Sequence, residues 1–282
     1  MKLSQDTLAD YFTIADSTNS WYTTPTNTFD FVDRNSRLLV VTVGDSWTWG
    51  SGVSFGNKDE QFRRNNVFGN IVSDCLHADW LNLGLNAQGN FWIASMVQEL
   101  TNLISELDYD HIYVICTFTG ALRWFNTQYD QHIDYKNWFK NTAPDFDQLL
   151  VMLNQQCVSR IVDSLTEHGN VTLKIGTNFV DAIGFDSIST EQLLPEPWYK
   201  LLGCSDSELV FADLFFERIS QAIEFIEPQH HTAFKQWVLE LIGKSEHRLG
   251  LMTDPDKFWK FHPQADGHQI WAEYILKEIK VD

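Results

Sequence analysis

Cysteine is scarce and scattered in this chain. Cys75, Cys116, Cys157 and Cys204 stand far apart and form no CxxC pair, which argues against both a disulfide framework and a zinc site of paired thiolates. The nine histidines include no HExxH spacing, and the neighbours His230 and His231 cannot point the same way on a helix. No metal and no cofactor is therefore expected. Positive charge is also short: 20 Lys and Arg against 38 Asp and Glu leave a formal net charge of −18. Such a surface repels phosphate, so neither nucleic acid nor an anionic membrane is an expected partner. No apolar run approaches the roughly 20 residues needed to span a bilayer. The opening MKLSQDTLADYF is interrupted by Asp6 and Asp10 and reads as no secretory signal, which points to a cytoplasmic protein unless release occurs without one.

What the chain does have is apolar mass. Its hydrophobic fraction of 44%, with 11 Trp, 8 Tyr and 20 Phe among 282 residues, supplies ample core for a single α/β unit. Residues 1–36 are polar and read as an N-terminal extension packed on the domain that fills 37–282. Arg37-Leu-Leu-Val-Val-Thr-Val43 is a short β-branched run, the mark of a strand buried on both faces. Residues 80–83, 111–117 and 171–175 repeat it. Between them, 62–77, 90–107 and 147–166 carry apolar residues at helical spacing, as do 207–226, 231–243 and 264–279. Alternation of strand and helix predicts a three-layer α/β/α sandwich around a mainly parallel, flavodoxin-like sheet. The irregular stretches 120–146 and 177–206 are long enough to be lids or binding loops.

In such sheets ligands bind beyond the carboxyl ends of the strands, and suggestive residues follow three of them. Gly44-Asp45-Ser46-Trp47-Thr48-Trp49-Gly50 places a serine at the turn from strand to helix, with its own N–H suited to an oxyanion; taken alone, Ser46 is as well explained as a helix cap. Asn82-Leu-Gly84-Leu-Asn86-Ala87-Gln88-Gly89-Asn90 is a turn able to aim a backbone N–H into the same cleft. Phe118-Thr119-Gly120-Ala121-Leu122-Arg123 offers a hydroxyl and a guanidinium, the latter equally suited to pairing with a surface carboxylate. Near the end, Phe261-His262-Pro263-Gln264-Ala265-Asp266-Gly267-His268 fixes a histidine before the last helix, a good place for a general base; His268, inside that helix, reads as a packing or hydrogen-bonding residue.

These blocks, in this order, resemble the SGNH/GDSL hydrolase superfamily over roughly residues 37–279. The resemblance rests on Gly44-Asp45-Ser46 and on His262-Pro263 followed by Gly267-His268. It implies a serine esterase in which Ser46 is the nucleophile and His262 the base. It also implies an oxyanion hole built from the Ser46 N–H, a glycine N–H of the second block and a side chain of the third. An ungapped reading puts Ala87 at the glycine position and a short insertion puts Gly89 there; Gly89 is the choice made here. Thr119 stands where the family has asparagine, and loss of such a donor costs about 3–4 kcal/mol. Trp259 stands where the family has the aspartate that orients the histidine. Asp254 and Asp256 are near in sequence, and Asp256 is taken as the acid, with a backbone carbonyl as the alternative. Asp45, Trp47, Arg123 and Trp124 are the candidate substrate-binding residues. The resemblance implies a small-molecule or glycan ester as partner, and it covers acyl transfer by the same residues. A non-catalytic or virion-associated binding role on the same fold is the contrasting expectation. Oligomeric state is not specified by the sequence.

Overall fold

The structure is a computed structural model that describes residues 1–4, 8, 29–53, 60–85, 89–119, 146–178, 188–203, 228–230, 233, 249–251 and 261–279. Seven strands occur among them: β1 (Asp30–Val32), β2 (Leu38–Gly44), β3 (Asp79–Gly84), β4 (His111–Phe118), β5 (Val171–Thr177), β6 (Leu249–Leu251) and β7 (Phe261–Pro263). The helices are α1 (Ser46–Trp49), α2 (Glu60–Asn66), α3 (Phe68–Cys75), α4 (Asn90–Ile104), α5 (Phe146–Thr166), α6 (Trp198–Leu201) and α7 (Ala265–Glu278). The main sheet runs β1-β3-β2-β4-β5. Its last four members are parallel, and β1 pairs antiparallel with β3 at the edge.

Alternation along each strand divides the core into two layers. Leu39, Val41 and Val43 of β2, Leu81 and Leu83 of β3, and Ile112, Val114, Cys116 and Phe118 of β4 share one cluster with buried residues of α4 and α5. Val40, Trp80 and Ile115 point the other way and join Phe68 and Val72 of α3, Trp198 and Tyr199 of α6, and Trp271 and Ile275 of α7. Helices thus cover both faces, as the continuous apolar strands require. The expected α/β sandwich is what is found.

Several local readings differ; within the stretch 177–206 read as irregular, Trp198–Leu201 forms α6. The periodic stretch 62–77 is two helices, not one, because Val67 is extended at φ −83° and ψ 140° between them. Val67 and Phe68 are fully buried, and the Phe68 N–H leaves the helical ladder to donate to His268 Nδ1 at 3.2 Å. Residues 30–32, inside the stretch read as an extension, form the edge strand β1. Three residues are too few to show a period. The helical readings 207–226 and 231–243 lie outside the described residues apart from Ala233, as does most of the loop reading 120–146.

What holds β1 in place is a buried ion cluster. Arg63 of α2 is 1% exposed and pairs with Asp30 at 2.7 Å; Asp30 is 2% exposed. Arg64 Nε reaches the same carboxylate at 2.8 Å, and Glu60 pairs with Arg63 as well. Burial works against the Arg63 charge, but Glu60 and Asp30 outweigh it and raise its pKa above the ordinary arginine value. Removing one partner of such a buried pair strands the other charge, at a cost of about 3–5 kcal/mol. Arg63→Met is expected to lower unfolding free energy by that order. Urea denaturation followed by circular dichroism checks it, and a midpoint equal to wild type would show that the cluster contributes nothing.

Candidate active site

The parallel register brings the carboxyl ends of three strands level: Gly44 pairs with Gly84 of β3 on one side and with Thr117 of β4 on the other. Because β3 and β4 flank β2, the chain reverses its direction of travel across the sheet at this point, the kind of position at which open α/β sheets bind ligands. The turn is tight at Gly44 through crowding. A Cβ on Gly44 would collide with the Thr48 hydroxyl and lie 2.9 Å from the Thr117 carbonyl oxygen. Among the described glycines only Gly50 and Gly203 have positive φ.

Ser46 opens α1, two residues past the end of β2. Its neighbour Asp45 is the N-cap, and Asp45 Oδ1 accepts the Trp47 N–H at 2.9 Å. At the other end Gly50 closes the helix in the left-handed conformation at φ 90°. Arg63 Nη1 donates to the Trp49 carbonyl there, and its guanidinium lies 4.1 Å from the centre of the Trp49 ring. Thus a helix of only four residues is capped at its entrance by the adjoining Asp45 and gripped at its exit by a side chain from elsewhere in the chain.

His262 arrives from the far end of the sequence on β7, which pairs with β6 so that His262 lies opposite Gly250. Expected as part of a loop, it sits on a two-stranded ribbon. The ribbon packs against the turn that follows α1: a Cβ on Gly52 would overlap the Pro263 carbonyl oxygen and lie 2.7 Å from the His262 Cβ. In this arrangement His262 Nε2 and Ser46 Oγ are 2.8 Å apart. At 6% and 7% exposure the two residues are nearly, but not wholly, enclosed. Hydroxyl and imidazole are at hydrogen-bond distance although 216 residues separate them.

Other expected site residues fall as follows. Gly89 is the N-cap residue of α4. Thr119 follows β4 and is fully buried; its hydroxyl has no hydrogen-bond partner among the described residues. The two are tied together by Asn90, a residue the sequence reading passed over. Its Oδ1 accepts the Thr119 N–H at 3.0 Å and its Nδ2 donates to the Thr119 carbonyl at 3.2 Å. A second bond from Nδ2 to Asn154 Oδ1 of α5, at 2.7 Å, fixes that amide.

Two substrate-binding expectations need correction. Trp47 is 2% exposed and lies edge-on to Trp198 at 5.3 Å, so it packs in the core under the sheet and not in a cleft. Asp45 is fully buried and spends its carboxylate on the α1 cap, held by Asn178 Nδ2 at 2.9 Å, so it does not face a ligand. Arg123, Trp124, Asp254, Asp256 and Trp259 lie outside the described residues. Among the described residues, no group of three or more His, Cys, Asp or Glu is placed to hold a metal ion, and no helix is long and apolar enough to cross a membrane.

No protein-family model matches the chain, and no curated protein does. Solved structures do match. The chain is similar to a lipase from a goat rumen metagenome, at 12% identity and TM-score 0.43, over 86% of this chain and 97% of that one. It is similar to a member of the lipolytic G-D-S-L family from Veillonella parvula, at 13% identity and TM-score 0.36, over 85% of this chain and 97% of the other. A salicylyl-acyltransferase from a tetracycline biosynthetic pathway aligns at 16% identity and TM-score 0.39, over 88% of this chain and 56% of its own.

His268, one turn into α7, is fully buried, stacked on Phe68 at 6.0 Å and edge-on to Trp198 at 4.9 Å. Since its Nδ1 accepts a backbone N–H, the ring is neutral with its proton on Nε2. Burial first, then the nearby His262 and Arg63, lower its pKa from 6.5 to about 3. The unfolded chain takes up this proton near pH 6.5 and the folded chain does not. Stability from His268 is therefore complete above that pH and is lost as pH falls toward about 3. At pH 5 the loss is about 2 kcal/mol. His268→Asn, which retains an acceptor near the Nδ1 position, is expected to show a shallower fall in urea midpoint between pH 6.5 and 4 than wild type. Parallel slopes would assign the acid sensitivity elsewhere.

The packing of Gly52 on the histidine ribbon gives a second test. Gly52→Ala is expected to push His262 away from Ser46 and to slow any covalent labelling of Ser46 by a serine-directed fluorophosphonate at least tenfold. Labelling at the wild-type rate, read by intact mass, would show that the ribbon absorbs the added methyl group.

Proposed function

We propose that this protein is a serine esterase that removes a short acyl group from a carbohydrate or another small ester. The observation that supports it best is the 2.8 Å approach of Ser46 Oγ to His262 Nε2 at the carboxyl end of the sheet. With Nε2 accepting the hydroxyl proton, Ser46 Oγ attacks the ester carbonyl and forms a C–O bond as the carbonyl π electrons move to oxygen. The first-turn N–H of Ser46, which has no intrahelical acceptor, the N–H of Gly89 and the Thr119 hydroxyl are the donors assigned to that oxyanion. Collapse of the tetrahedral intermediate expels the alkoxide, which takes the proton from His262. Water, deprotonated by the same imidazole, then releases the acid and restores Ser46. Asp256 is assigned the orientation of the His262 ring, and Arg123 and Trp124 the contact with substrate.

The order of these steps needs an imidazole that is neutral before attack and cationic after it. The acidic chain, with its net charge of −18, favours that transient cation and suits a neutral or cationic ester better than an anionic one.

The test is covalent and then kinetic. Wild-type protein is expected to gain the mass of one fluorophosphonate adduct, mapped to Ser46, and to turn over p-nitrophenyl acetate. Ser46→Ala is expected to lose the adduct and at least 10³-fold in kcat/KM. An unmodified wild-type mass, or equal turnover by Ser46→Ala, would overturn the assignment.

A further inference from the structure

Asn178 follows Thr177, the last residue of β5, and is fully buried. Its backbone is fixed on both sides. The N–H donates to the Phe118 carbonyl at 2.9 Å, and its own carbonyl accepts the Tyr199 N–H at 3.3 Å. From this anchored position the side-chain Nδ2 donates to Asp45 Oδ1 at 2.9 Å. Since β4 lies between β5 and β2 in the sheet, the contact bridges two strand spacings, about 10 Å of backbone separation. The oxygen it meets is the one that caps Trp47 N–H. One carboxylate oxygen is thereby held from β5 while it holds the helix that begins at Ser46.

We infer that Asn178 is a positioning residue for Ser46. By fixing the Asp45 carboxylate, it sets the start of α1 and keeps the Ser46 hydroxyl in reach of His262. The inference rests on the reading of Ser46 as nucleophile. Only a donor suits this place, because an ionised carboxylate has nothing to donate. An aspartate at 178 would set two carboxylates face to face, which a single shared proton reconciles and full ionisation does not.

The experiment measures the second-order rate of fluorophosphonate labelling at Ser46 on the full chain between pH 5 and 9. It compares wild type, Asn178→Asp and Asn178→Ser, each shown folded by circular dichroism. At pH 8, Asn178→Asp is expected to label at least tenfold more slowly than wild type, with the deficit narrowing toward pH 5 as the pair takes up a proton. His262, hydrogen-bonded to Ser46, and Tyr199, whose N–H meets the Asn178 carbonyl, are titratable groups described near this pair, and Asn178→Ser, which adds no charge, separates their pH response from that of a carboxylate pair. Asn178→Ser, too short to reach Asp45, is expected to be slow at every pH, and it carries the test if the aspartate variant does not fold. A deficit in Asn178→Asp that is constant with pH would reduce Asn178 to a structural residue and overturn the inference. Wild-type rates in any folded single variant would overturn it too. Failure of wild type itself to label would instead remove the nucleophile reading on which it stands.

Discussion

Everything at the head of the sheet follows from one register. With Gly44 set between Gly84 and Thr117, three parallel strands end at one height, and the segments that leave them must crowd together. Gly44, Gly84 and Thr117 are neighbours because of that alignment, though the chain between them runs out through helices and back, and Asn90 ties the start of α4 to Thr119 just beyond them. Slippage of β2 by one residue would exchange its two faces, turning Val40 into the layer of Val41. Burial on both sides forbids it, so core packing and site geometry are the same constraint seen from two places.

The short helix after β2 could not persist in isolation, since four residues barely close one turn and nucleation is costly. Its stability is borrowed from partners that are distant in sequence. Asp45 and Asn178 hold its entrance, while Arg63 and the cluster around Asp30 hold its exit. Asn82 joins the two regions, donating toward Asp30 and Thr48 while its oxygen accepts from Thr42 and Gly84. A buried polar network of this kind fixes one arrangement because each alternative leaves a charge or an amide without a partner.

Much of this was readable in the amino-acid string, and the boundary is instructive. The buried strands declared themselves through β-branched runs, and Ser46 and His262 through the short motifs around them, because those signals are local. Arg63, Asn178 and Asn90 gave no such signal. Their roles depend on partners 33, 133 and 64 residues away, which no periodicity encodes. The division of 62–77 into two helices has the same origin, since the His268 imidazole that claims the Phe68 N–H comes from 200 residues downstream. Trp47 misled for a subtler reason. Proximity to a motif serine suggested a cleft wall, but one residue further along a helix turns about 100°, and that rotation sends the indole into the core.

The ribbon of β6 and β7 is a sheet apart from the main one. Ser46 and His262 therefore ride on two separately hydrogen-bonded frames that meet by side-chain and backbone packing, with no ladder between them among the described residues. Such a seam can open by a small rigid displacement without breaking any rung of the five-stranded sheet. The approach of Ser46 to His262 is accordingly a property of docking, and it can be gained or lost while the bulk of the fold stands unchanged.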